Sequence, residues 1–208
     1  ATVATAADVV SRSGAQVLAT IGATPTGDNI NVDCGSTSLN ALSHVVVDMG
    51  ADLGLAFDGD GDRVLAVDGS GTIVDGDQIL AILALRLKER RELAQDAVVT
   101  TTMTNLGFRR AMRERGVEVR WTDVGDRYVV AEMRSGGFTI GGEQSGHLIN
   151  LASGPTGDGA AAGLQLLHAV ADSGGTLTDL AAVMERLPQK LVNYRVADKS
   201  RLADASEV

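Results

Sequence analysis

The sequence predicts an α/β protein made of two consecutive units, and three observations carry that reading. Short apolar runs, among them Leu53–Phe57, Val98–Thr102 and Val117–Trp121, have strand length and composition. Longer segments with helical spacing and helix-ending glycines separate them, and such alternation builds helices against a mainly parallel sheet. Charge then divides the chain. Residues 1–75 hold ten Asp against Arg12 and Arg63, a balance of −8, whereas residues 76–208 hold 17 acids and 16 bases. That break near residue 75 marks a domain boundary.

The first unit opens with a short helix, Ala6 to Ser13, with Thr5 as its cap and Gly14 as its end. Gln16 to Ile21 reads as a buried strand, and Gly22 to Ser38, with Pro25 and several Gly, Asn and Asp, as a long loop. A helix from Ser38 to Met49, stopped by Gly50, leads to the strand Asp52–Phe57. Val64–Val67 and Thr72–Val74, joined by Asp68-Gly69-Ser70-Gly71, form a hairpin. A strand ahead of the first helix is expected to be missing.

In the second unit Asp77 is the expected cap of a buried helix through Arg91. Val98–Thr102 is a strand, Thr104 or Asn105 opens a helix through Arg115, and Val117–Trp121 is the next strand. A helix from Asp126 through Arg134 ends at Gly136-Gly137. Phe138–Ile140 and His147–Leu151 are short strands around a glycine-rich loop, and Asp158–Ala171 and Thr178–Leu187 are helices, the last stopped by Pro188.

Composition narrows the function classes. The 208 residues are 44% apolar and 3% aromatic, so the core is built from Val, Leu, Ile and Ala. A net charge of −9 without a basic, aromatic-laced patch argues against nucleic acid as a partner. Ile79–Leu87 is too short to span a bilayer, so no membrane partner is expected. Lone Cys34 precludes an internal disulfide and, with no export signal in view, fits a reducing cytoplasm. Walker A, a dinucleotide fingerprint and the G-x-S-x-G elbow of hydrolases are absent.

Two stretches carry chemistry. In Asp58-Gly59-Asp60-Gly61-Asp62-Arg63 three carboxylates alternate with glycines after an apolar strand. Carboxylates so close oppose shared ionisation unless a cation enters, and oxygen-only donors suit Mg²⁺, Mn²⁺ or Ca²⁺. That favours a metal loop over an acidic surface turn. An EF-hand fails, because its sixth and twelfth positions fall on Arg63 and Gly69. A haloacid-dehalogenase-type phosphatase loop fits Asp58 and Asp60 but not Asp62, and stands second. Arg63 is either a counter-ion or an anchor for substrate phosphate.

The other stretch is Gly141-Gly142-Glu143-Gln144-Ser145-Gly146-His147. In extended backbone Glu143, Ser145 and His147 point to one side and offer an acceptor, a hydroxyl and an imidazole to sugar hydroxyls. A polar loop at a strand end is the plainer alternative. Val124-Gly125-Asp126-Arg127 and Thr156-Gly157-Asp158-Gly159 read as helix starts, and His44 and His168 as structural.

Together these loops resemble the α-D-phosphohexomutase family. Val124-Gly125-Asp126-Arg127-Tyr128-Val129, and Asn29-Ile30-Asn31 with Cys34-Gly35-Ser36-Thr37, look like its glucosamine branch. The resemblance implies two consecutive α/β/α domains with mixed, mainly parallel sheets. Residues 1–75 would be the second of the family's four domains and 76–189 the third, with 190–208 leading into the fourth. It also implies Mg²⁺ on Asp58, Asp60 and Asp62, with a phosphoserine from a domain outside this chain as a further ligand. Glu143 and Ser145 would bind sugar hydroxyls, while Arg63 and His147 would lie beside the transferring phosphoryl group. The implied reaction interconverts glucosamine 6-phosphate and glucosamine 1-phosphate through a bisphosphate, making a hexosamine phosphate the expected partner and leaving a homodimer open. The 208 residues alone are expected not to turn over. A phosphomannomutase/phosphoglucomutase and a non-catalytic divalent-metal module are the rival readings.

Overall fold

The structure, a computed structural model, describes residue 2 and residues 5–192. Its first sheet has three antiparallel strands in the order β1 (Leu53–Phe57), β2 (Val64–Asp68) and β3 (Ile73–Val74). Helix α1 (Ala6–Arg12) precedes it, and α2 (Asn40–Met49) ends where Gly50 takes a left-handed φ of 62°. Gly54 allows α2 to lie close on β1, since a Cβ there would crowd Leu42 and Val46. On the hairpin turn the Asp68 carboxylate accepts hydrogen bonds from Ser70 N (2.9 Å), Ser70 Oγ (2.6 Å), Thr72 N (3.0 Å) and Thr178 Oγ1 (2.8 Å).

The second sheet has the order β5-β4-β6-β7, from β4 (Ala97–Thr101), β5 (Glu118–Thr122), β6 (Ile140–Gly142) and β7 (Leu148–Asn150). β4 pairs parallel with both β5 and β6, and β7 closes antiparallel on β6. Around it lie α3 (Gly76–Glu89), α4 (Leu106–Glu114), α5 (Asp126–Gly136), α6 (Gly159–Ser173) and α7 (Leu177–Ala181). One apolar core runs through both sheets. Val64 and Ala66 of β2 share it with Ile79 and Leu83 of α3, Val98 of β4 and Leu166 of α6. Burying side chains of this size contributes about 1.5–3 kcal/mol each.

The α/β class and the mixed, mainly parallel second sheet agree with the sequence, whereas the first sheet is antiparallel among the described residues. Gln16–Ile21 forms no strand. Among the described residues it pairs with no neighbour, and a strand exists only where a partner satisfies its backbone. Helix α3 starts two residues earlier than expected. Asp75, not Asp77, is its cap, in a capping box with Gln78, and Asp77 is buried in the first turn. Helix α7 stops at Ala181 rather than Leu187. Of the expected 190–208 segment, residues 193–208 lie outside the described residues.

Candidate functional site

The acidic loop follows directly from β1. Gly61, at φ +79°, turns the backbone so that Asp58 Oδ1 accepts from Gly61 N at 2.9 Å and Arg63 N at 3.2 Å. Burial is the largest influence on Asp58 and pushes its carboxyl up. The Asp62 side chain and the N–H groups of Arg63, Gly61 and Asp60 outweigh burial together and hold Asp58 below its ordinary value. Asp60 is exposed. Asp62 also lies against the second loop, with Oδ2 2.9 Å from His147 Nδ1, and its Oδ1 is buried without a hydrogen-bond partner among the described residues.

The glycine-rich loop closes the hairpin between β6 and β7. It is a turn rather than the extended stretch expected, because Gly146 N donates to Glu143 O at 3.0 Å and Glu143 N to His147 O at 3.1 Å. Gly146, at φ +90°, presses on Val64, where a Cβ would overlap the carbonyl. Alternation along an extended strand therefore does not set the directions of Glu143, Ser145 and His147. Glu143 is aimed by a different contact, in which Gly125 N at the start of α5 donates to its Oε1 at 3.1 Å. Ser145 is exposed.

The two loops meet. Arg63 and His147 form an antiparallel β-bridge, and Val64 N donates to Gly146 O at 3.1 Å. From the far side Gly76 N at the start of α3 donates to Gln144 O at 3.0 Å, and Gln144 Nε2 donates to Asp75 Oδ2 at 3.3 Å. A Cβ on Gly76 would overlap the Glu143 carbonyl, so glycine is what lets the helix end approach. The start of α6 closes the back, with Gly159 N donating to Gly61 O at 3.0 Å and Gly157 lying flat on the His147 ring.

This arrangement combines fixed acceptors with a free cation. Arg63 is exposed and makes no ion pair among the described residues, so it is not serving as a counter-ion to the three Asp. His147 is only 3% exposed, and its Nε2 is buried without a hydrogen-bond partner among the described residues. Its pairing with Asp62 was not legible in the sequence, which placed both residues but not their contact. The spacing of Thr156-Gly157-Asp158-Gly159 held a usable signal, since glycines on both sides of a cap residue suit a close backbone approach.

Mg²⁺ fits the donor chemistry, three carboxylates with the buried Asp62 Oδ1 lacking a partner. Among the described residues no three His, Cys, Asp or Glu converge to hold a metal ion. The cause is visible in the loop, where Asp58 is turned onto backbone N–H groups and Asp62 onto His147.

Residues 75–187 match the family model described as phosphoglucomutase/phosphomannomutase, alpha/beta/alpha domain III. The phosphoglucosamine mutase of Streptomyces coelicolor is 56% identical over 201 residues, which is 97% of this chain and 44% of that protein. The Mycolicibacterium paratuberculosis phosphoglucosamine mutase is 55% identical over 94% of this chain and 44% of its own length. The chain thus spans less than half the length of these relatives. A putative phosphomannomutase from Thermus thermophilus superposes with TM-score 0.66 at 27% identity, covering 74% of this chain and 35% of that one. The Aspergillus fumigatus N-acetylphosphoglucosamine mutase in complex with GlcNAc-6P and magnesium shares the fold, with TM-score 0.64 at 21% identity over 83% of this chain and 41% of its own.

Proposed function

This chain belongs to the phosphoglucomutase/phosphomannomutase family, the α-D-phosphohexomutases, and we propose that it supplies half of the active site of a phosphoglucosamine mutase. The reaction of the whole polypeptide is the interconversion of glucosamine 6-phosphate and glucosamine 1-phosphate. Identity of 56% to a phosphoglucosamine mutase supports the sugar assignment. The observation that supports the reading is the junction of the two loops at Arg63 and His147, which joins the acidic loop to the Glu143–His147 loop.

Phosphoryl transfer depends on alignment and on neutralising charge at the moving group. In this proposal Asp58, Asp60 and Asp62 hold Mg²⁺, which when bound supplies that neutralisation. Arg63 places a guanidinium beside the phosphoryl oxygens. Glu143, with Oε1 already fixed by Gly125 N, turns its other oxygen to the sugar, and Ser145 offers a hydroxyl next to it. His147 acts as a positioning residue. Its Nδ1 holds Asp62 Oδ2 and so aims the partnerless Oδ1.

The test uses the full-length enzyme carrying this chain, assayed with Mg²⁺ on glucosamine 6-phosphate and mannose 6-phosphate. The proposal expects a higher kcat/KM on the glucosamine substrate. Preference for mannose 6-phosphate would overturn the sugar assignment, and no isomerisation of either would overturn the enzyme reading.

A further inference from the structure

Three segments converge on the carboxylate of Asp75, the residue that joins β3 to α3. Its Oδ1 accepts from Gln78 N at 3.2 Å and caps the helix. Its Oδ2 accepts from Gln144 Nε2 at 3.3 Å and lies 3.3 Å from Arg186 Nε. The Asp75 side chain is 8% exposed, whereas that of Arg186 is 51% exposed. Arg186 is delivered by a segment pinned across the turn between β4 and α4. There Leu187 N donates to Asn105 Oδ1 at 3.0 Å, Asn105 Nδ2 to Leu187 O at 2.8 Å, and Gln189 Nε2 to Met103 O at 2.8 Å.

Gln144 stands between Glu143 and Ser145, the two residues proposed to meet the sugar. Glu143 is held by Gly125 N at the start of α5, and Gln144 by Asp75 and Gly76 at the start of α3. The turn is thus strung between two helix starts, with one side chain tied to each. Gln144 can donate through its amide, which a carboxylate in its place cannot do. A carboxylate there would face Asp75 and repel it, and an amide at position 75 would relieve that repulsion by offering a donor.

We propose that Asp75 is a positioning residue for the proposed reaction, acting through Gln144 to fix the turn that presents Glu143 and Ser145; the inference rests on that reading. The helix cap and the loop contact use different oxygens of one carboxylate, so substitution can separate them. Arg186 is half exposed, so its pair with Asp75 is screened and adds little by itself. Sugar contacts made alike in the ground state and the transition state act on KM rather than on kcat.

The experiment uses the full-length enzyme carrying this chain. Steady-state kinetics on glucosamine 6-phosphate are paired with amide hydrogen exchange over residues 143–147, read without substrate. Gln144→Glu should raise KM roughly tenfold, leave kcat within about threefold, and speed exchange over 143–147 roughly tenfold. Adding Asp75→Asn keeps an acceptor for Gln78 N and offers the new carboxylate a donor, so the double variant should return both readouts to within about threefold of wild type. Arg186→Gln should shift KM by less than about threefold. A cap alone predicts no rescue, because Asn caps equally well in either background. Wild-type KM and exchange in Gln144→Glu would overturn the inference, as would a double variant no better than Gln144→Glu. Exchange needs no substrate, so its rescue tests the Asp75–Gln144 anchor even where the wild-type enzyme fails on glucosamine 6-phosphate, an outcome that overturns the reaction alone.

Discussion

Asp77 offers the prediction with the clearest magnitude. Its side chain is fully buried, with Oδ2 accepting from Asn105 N at 2.7 Å and Oδ1 without a hydrogen bond of ordinary geometry among the described residues. Burial is the main cause that pushes its carboxyl from 3.8 to about 7, and the Asp75 charge adds to it; Asn105 N–H, the Thr104 hydroxyl and Arg186 pull the other way. The folded pKa lies above the unfolded one, so the stabilising contribution is fully present below 3.8 and is lost as pH rises through about 7. At about 1.36 kcal/mol per unit, the loss across that window reaches about 4 kcal/mol. Asp77→Asn keeps an acceptor for Asn105 N–H and removes the charge. Urea unfolding at pH 5 and pH 8 should find the variant more stable at pH 8 by about 2–4 kcal/mol, with the gap shrinking toward pH 5. A variant that loses stability at pH 8, or a gap independent of pH, would refute the reasoning.

Other predictions follow from single contacts. Asp68→Ala strips the hairpin turn of its four-donor acceptor and should cost about 2–3 kcal/mol in urea unfolding at neutral pH. Burial is the largest influence on Asp68 and raises it, but hydrogen bonds from Ser70, Thr178 and Thr72 outweigh it and hold the carboxyl below 3.8. The cost of losing Asp68 should accordingly fade as pH drops below that value; an undiminished cost in acid would show that its charge is irrelevant. Gly157→Ala places a methyl group into the His147 ring, and about 1–3 kcal/mol of destabilisation should accompany a fall in activity of the full-length enzyme. Unchanged melting and activity would mean that the ring moves freely. Leu166→Ala in the shared core should cost about 3 kcal/mol in a single cooperative transition; loss from only one of two transitions would show that the sheets unfold separately.

Both loops were legible in the sequence because their chemistry is local. Alternating Asp and Gly announces crowded carboxylates wherever the chain goes, and the glycines of Gly141 to Gly146 mark a loop between two strands, although its tight turn was not read from them. Their meeting was not legible, because the Arg63–His147 bridge and the Asp62–His147 contact join segments far apart in sequence. The cap of α3 differs from the expected residue, yet the spacing held a usable signal: Gln78 stands three residues after Asp75 and completes a capping box, whereas Leu80 stands three after Asp77. The segment 16–21 has strand composition but no strand, because composition sets a preference and a neighbouring backbone realises it.

The central claim is that the acidic loop and the Glu143–His147 loop serve one sugar-phosphate site. The direct measurement is steady-state kinetics of the full-length enzyme on glucosamine 6-phosphate with Mg²⁺, comparing wild type, Asp62→Asn, Glu143→Gln and the double variant. Each single variant should lose roughly 100-fold or more in kcat/KM, with the double variant losing less than the product of the two, as expected for groups acting together. Wild-type kcat/KM in either single variant, with its fold intact by circular dichroism, would contradict the account.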